Sequence, residues 1–166
     1  MGADANAHDE RRLVELALAL ADGIERALPG WVERCVLDVA AAAGTPPDAA
    51  LRSEAAAAGR RAAAEIGPRV RALLGSDVDE QRTTPLALVR QAVRYPTSVL
   101  RAAGVPPRPR DPFVVSRFPD DVYDLSPASF ADLDPSLHEL GMAWGAAKAF
   151  VHRRRHLRPD GPGTVP

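Results

Sequence analysis

Lysine is nearly absent from this chain: Lys148 is the only one among 21 basic residues, the rest being arginine. That skew suits a GC-rich coding sequence as well as any physical need, and no function is drawn from it. Cysteine occurs once, at Cys35, which excludes an intrachain disulfide and fits a reducing, cytoplasmic setting. No run approaches the ~18 apolar residues of a membrane span, so no membrane partner is expected. An excess of one charge is lacking too. The formal net charge of −1 and a pI near 6.4 argue against a protein that binds nucleic acid over its whole surface. Motifs with a dedicated chemistry are also missing: there is no G-x-S-x-G, no phosphate-binding glycine loop, no dinucleotide fingerprint and no H-E-x-x-H. The sequence therefore names no catalytic residue and calls for no cofactor.

What is present is a helix-forming chain of 166 residues, 46% hydrophobic and 26% charged, long enough to bury a core without staples. Residues 1–8, small and polar, read as a disordered N-terminus, and 159–166 as a disordered tail, with a single helical domain over 9–158. Arg11-Arg12 before the apolar run Leu13–Ala21 superficially suggests a twin-arginine signal. Asp9 and Glu10 beside the arginines, with Glu15 and Asp22 in and after the run, argue against one.

Apolar residues recur at three- and four-residue spacing at Leu13, Leu16, Leu20, Ile24 and Leu28, which predicts a helix over 9–28 ended by Pro29-Gly30. A second helix is expected over 31–43, with Trp31, Cys35 and Val39 on one face and Gly44 as its C-cap. Asp48 is placed to cap a third, over 49–74. That helix presents Leu51, Ala55, Ala58, Ala62, Ile66, Val70 and Leu73 inward and kinks or breaks near Gly67 because Pro68 follows. Thr84-Pro85 starts a fourth, interrupted at Pro96 and ended at Gly104. Asp134-Pro135 starts the last, over 135–157, with Leu137, Leu140, Trp144, Ala147 and Val151 on its apolar face. The expected fold is all-α: about five helices in an irregular bundle.

Residues 105–133 stand apart. Six prolines exclude a long regular helix, yet Phe113, Phe118, Tyr123, Leu125, Phe130 and Leu133 are more apolar than a disordered linker carries. The segment reads as an ordered, extended strap packed on the helices, with a short helical turn beginning at Ser126-Pro127.

The main functional flag is the basic end of the last helix: Lys148, Arg153, Arg154, Arg155 and Arg158, joined by His152 and His156. It reads as an anion or partner site. Against this stands the acidic segment before it, Asp111, Asp120, Asp121, Asp124, Asp132, Asp134 and Glu139, which could fold back and neutralise it; the sequence leaves open whether the helix end is exposed or covered. His152 and His156 have the i,i+4 spacing of a metal pair. The arginines between them and the missing glutamate weigh against that, so no metal is expected. The aspartates at 120, 121 and 124 are read as turn and cap residues rather than as ligands. Arg90 and Arg94, beside Tyr95 and with Arg101 further on, either line a pocket for an anion or form a solvated helix face, the latter being preferred. Gly141 and Gly145 have G-x-x-x-G spacing, which suits close packing within the chain or, secondarily, a homodimer face. Cys35 is read as a buried, inert thiol.

Six of the eight aromatic residues fall between Phe113 and Phe150. With Phe113, Phe118 and Tyr123 as anchors, the strap offers a docking surface. The leading expectation is thus a non-enzymatic interaction or regulatory protein with a protein partner. The alternative is a nucleic-acid or ribonucleoprotein-associated protein that binds phosphate through the basic helix end. A small enzyme on a helical scaffold is the third reading.

Overall fold

The longest apolar phase in the sequence becomes a helix longer than expected. In the computed structural model, which describes residues 2–81 and 84–157, α1 runs unbroken over Gly2–Ala42. The stop expected at Pro29-Gly30 does not occur, and one helix of 41 residues replaces two. The phase explains this. Leu20, Ile24, Leu28, Val32, Val36 and Val39 are all buried, in steps of four and three that carry straight across the proline, with Trp31 buried beside them. Keeping both halves on one core outweighs an interior proline, which costs about 3 kcal/mol. Residues 2–8, expected to be disordered, form the first turns of α1. Ala3, Ala5 and Ala7 favour helix, Arg11 Nε donates to the Ala7 carbonyl at 3.2 Å, and Asp9 pairs with Arg154.

Gly44, at φ +79°, ends α1. Its N–H donates to the Ala41 carbonyl at 3.1 Å and that of Thr45 to Ala40 at 2.9 Å, the Schellman pattern. α2 (Ala49–Gly75) begins where Asp48 Oδ1 accepts from the Leu51 N–H at 2.8 Å. It continues through Pro68 instead of breaking near Gly67, because Ile66 and Val70 anchor it in the core on both sides. Its inward face is as expected except that Leu74, four residues after Val70, is buried in place of Leu73. α2 lies antiparallel to α1: Gly59 sits on Pro29, Gly67 on Glu25, and Arg71 reaches Asp22 at 2.5 Å.

Thr84 caps α3 (Pro85–Arg90), which passes through a 3-10 turn at Gln91–Val93 into α4 (Arg94–Ala102). Pro96 causes the turn: it has no N–H for the Ala92 carbonyl, and its ring crowds that position. Gly104, at φ +73°, closes α4 with the same two-bond pattern as Gly44.

The strap is not wholly extended. Asp111 caps a short α5 (Pro112–Arg117), and the helical turn expected at Ser126-Pro127 appears instead as a 3-10 turn at Phe130–Asp132. There the Asp132 carboxylate accepts from the N–H groups of Ala128 and Ser129. α6 (Leu137–His156) starts two residues later than expected, since Asp134 Oδ1 takes the Ser136 N–H at 2.9 Å and holds Pro135-Ser136 in a turn. It runs antiparallel to α1, with Leu137 against Gly23 and its far end at Asp9 and Glu10. A Cβ on Gly141 would stand 2.6 Å from Phe130 Cδ2, so this glycine serves packing within the chain, whereas Gly145 faces open space.

The fold is all-α, an irregular bundle with α1 at its centre and one hydrophobic core contributed by α1, α2, α3, α4, α6 and the strap. No helix is long and apolar enough to cross a membrane.

Candidate functional site

The basic end of α6 is neutralised, but not by the strap. Arg154 pairs with Asp9 of α1. Arg155 reaches Glu10 at 3.3 Å, Asp77 at 2.7 Å and Asp79 at 3.1 Å, the last two on the turn after α2. Lys148 Nζ donates to the Gln81 carbonyl at 3.2 Å and lies over the Trp144 ring; burial pulls its ammonium below the usual lysine range. Arg153 is exposed and has no ion pair among the described residues. Arg158 lies outside them. The partners are acids far away in sequence, brought in by the antiparallel packing of α1 and α6 and by the return of α2.

The reading in which the strap's acids cover the cluster is therefore overturned. Four of those side chains hold their own loops. Asp111 accepts from Phe113 N, Asp121 from Leu125 N and Ser126 N, Asp132 from Ala128 N, and Asp134 from Ser136 N. Aspartate beside proline favours such local bonds, and the strap stays at the opposite end of α6 from the arginines.

The three proposed docking aromatics separate. Phe113 is 70% exposed. Phe118 is half-buried, with the guanidinium carbons of Arg90 and Arg117 at 5.8 and 5.5 Å from its ring centre. Tyr123 is 2% exposed, and its hydroxyl donates to the Val105 carbonyl at 2.6 Å. It belongs to the core and not to a docking surface, because its hydroxyl fills the acceptor left at the end of α4.

The arginines of α3 and α4 prove more consequential than a solvated face. Arg90, Arg94 and Arg101 meet Arg117 and Phe118 of the strap around a cleft of about 740 Å³. Each is placed by the fold. Arg90 Nε donates to the Pro127 carbonyl at 3.0 Å, tying α3 to the strap. Arg94 bonds Glu65 at 3.2 Å and the Tyr95 hydroxyl at 3.1 Å, and that hydroxyl donates to Glu65. Arg101 of α4 and Arg117 of the strap stand exposed in the lining. Val93 and Thr97 are buried in the lining, and the Thr97 hydroxyl has no partner among the described residues. Two carboxylates also border the cleft, Asp120 and Asp121, the second already engaged by two backbone N–H groups. The lining contains no histidine, cysteine, lysine or glutamate. The sequence signalled three of these arginines through their spacing; Arg117 and Thr97 gave no separate signal, since only the folding back of the strap brings the walls together.

Cys35 carries no sign of a nucleophile. Burial pushes its thiol up to about 12, against a smaller opposing pull from Arg34. The pair His152 and His156 acquires a third neighbour, Asp79, which the sequence reading did not associate with it.

The chain thus falls in the class of all-α bundles with an arginine-lined cleft and an internally paired basic helix end. Compared with known proteins, it matches no family model, no curated protein and no solved structure.

Proposed function

We propose that this protein is a non-enzymatic binding protein that captures a small phosphate- or carboxylate-bearing ligand in the cleft between α3–α4 and the strap. The observation that carries this reading is the set of four guanidiniums around one cavity of about 740 Å³, within the range of about 300–1,000 Å³ usual for small-ligand sites. Guanidinium is suited to such anions because its planar fork makes paired, charge-assisted bonds to phosphate and carboxylate. Arg90 is fixed by a neutral carbonyl and keeps its positive charge, while Arg94 is fixed by Glu65, which offsets its own. Arg101 and Arg117, both exposed, add two further guanidiniums to the lining. The absence of histidine, cysteine and lysine from the lining favours capture over chemistry.

The test is a calorimetric titration with inorganic pyrophosphate and with citrate. Saturable binding is expected, weakened about tenfold or more in Arg101→Ala and in Arg117→Ala, since a hydrogen bond to a charged group contributes roughly 1.5–3 kcal/mol. Affinity in both variants equal to that of the parent protein, or no binding in the parent protein, removes the reading.

A second reading keeps phosphate recognition at the basic end of α6, in a nucleic-acid-associated protein, and rests on the exposed Arg153. Arg154 and Arg155 would have to leave carboxylates to join it. It predicts oligonucleotide binding that falls steeply with salt and is lost when Arg153, Arg154 and Arg155 become alanine. Binding that ignores salt, or none at low salt, counts against it.

A further inference from the structure

Of the chain's four histidines, two stand together. His152 and His156 occupy successive turns at the C-terminal end of α6, with ring centres 4.4 Å apart. Opposite them, on the turn that follows α2, lies Asp79. One oxygen of its carboxylate, Oδ1, is 2.9 Å from His152 Nδ1 and 3.1 Å from His156 Nε2. The three candidate donor atoms all lie within 4.8 Å of one another. From these distances we infer that Asp79, His152 and His156 form a binding site for a late first-row divalent cation of the zinc type.

The donor chemistry fits. Two imidazoles and one carboxylate are a recurrent set for zinc, with bonds of about 2.0–2.2 Å. Tetrahedral geometry at that bond length separates ligand atoms by about 3.3 Å. The two nitrogen–oxygen separations need to open by only a few tenths of an ångström, and rotation of exposed side chains brings the nitrogens into range. All three side chains are solvent-accessible, at 39%, 52% and 61%, so the ion has an entry path and water completes its shell.

Orientation is provided as well. Asp79 Oδ2 accepts from Arg155 at 3.1 Å, which holds the carboxylate with Oδ1 towards the histidines. Such outer contacts fix the geometry of a metal ligand. The helix end adds its own negative pole, which favours a cation.

The objection read from the sequence was the three arginines between the histidines. In the fold, Arg154 is matched by Asp9, and Arg155 by Glu10, Asp77 and Asp79. Arg153 is exposed, and Lys148, one turn before His152 on the same helix, is turned to the Gln81 carbonyl. The local field is that of an ion-pair network and not of an uncompensated basic patch. A bound ion would clamp the end of α6 to the turn after α2, two segments distant in sequence.

The experiment is a titration of the full chain, stripped with chelator, with Zn²⁺ under calorimetry and thermal denaturation, repeated with Mg²⁺. One Zn²⁺ per chain and a rise in Tm are expected, with no response to Mg²⁺, which prefers an all-oxygen shell. His152→Gln and His156→Gln should each weaken binding by at least about tenfold, the range in which even outer contacts act, while His138→Gln leaves it unchanged. Co²⁺ should give a ligand-field spectrum that both His152→Gln and His156→Gln abolish. The substituted side chains are exposed, and helical circular dichroism reports that the fold is retained. Absence of Zn²⁺ binding, binding unchanged in the His152→Gln/His156→Gln double variant, or an equal response to Mg²⁺ overturns the inference. Pyrophosphate binding in the cleft is a separate readout, so failure of either assignment leaves the other standing.

Discussion

At the scale of single residues, one tight approach in the bundle is made of backbone alone. An ideal Cβ on Gly59 would lie 2.8 Å from the Pro29 carbonyl oxygen and 2.9 Å from Pro29 Cα. Neither atom belongs to a side chain that can swing away. α1 and α2 would have to separate at the point where Leu28, Val32, Ala58 and Ala62 are all fully buried. Gly59→Ala should therefore destabilise the protein by about 1–3 kcal/mol, the usual cost of overpacking, despite the better helix propensity of alanine. Gly145 is the control: it is also inside a helix, but nothing lies within 4 Å of its Cβ position. Gly145→Ala should stabilise by roughly 0.5–1 kcal/mol, through lower backbone entropy in the unfolded chain. Urea denaturation of the two variants checks the pair; a stabilised Gly59→Ala would mean that the helices do not meet there.

At the scale of elements, the helix ends are where sequence and structure agree most closely. Gly44 and Gly104 each hold a positive φ and a pair of backbone bonds to the preceding turn. Neither has a steric neighbour, so Gly104→Ala tests conformation alone. It should cost about 1–2 kcal/mol, the penalty for a left-handed L-residue, seen as a lower urea midpoint with an unchanged slope. The caps Asp48 and Thr84 were legible for the same reason: they are local chemistry, complete within four residues. The stop at Pro29-Gly30 was misread because a local rule was set against a tertiary one. The apolar phase from Leu28 to Trp31 and Val32 already pointed to a continuing helix, and the core it serves decides. The charge pairing failed for a related reason. Counting acids along the chain placed the strap opposite the arginines, but a count carries no direction. Asp111, Asp121, Asp132 and Asp134 were taken up by neighbouring N–H groups. The acids that do reach the arginines, Asp9, Glu10, Asp77 and Asp79, come together only through antiparallel packing. The cleft was half legible: Arg90, Arg94 and Arg101 share one helical run, while their opposite wall depends on the strap's path.

At the scale of the whole molecule, this cluster is the electrostatic tie among α1, α6 and the turn after α2, and it gives stability an acid limb. The Asp79 carboxyl is held below the usual carboxylate range, first by Arg155 and then by the histidine His156. That of Asp77 is lowered first by the Asp79 backbone N–H and then by Arg155. A group whose folded pKa lies below its unfolded value binds fewer protons when folded. Its contribution to stability is complete above the unfolded value of about 3.9 and is lost as pH falls through the lower folded value. Both carboxylates are solvent-exposed, so screening limits the effect, and the result is best read as a difference between proteins rather than as an absolute energy. In chelator, to keep any metal out of the comparison, the Tm of the parent protein should exceed that of Asp79→Asn at pH 7. The gap should narrow as pH falls below about 4, where the unfolded chain's aspartate begins to take up its proton, and close at lower pH still, where the folded carboxyl does so and releases Arg155. Added salt should narrow it at neutral pH as well, because exposed pairs are screened. A gap that stays constant from pH 7 to pH 2 would mean that Asp79 acts through shape alone, and the ion-pair account of how the ends of α1, α2 and α6 are joined would have to be given up.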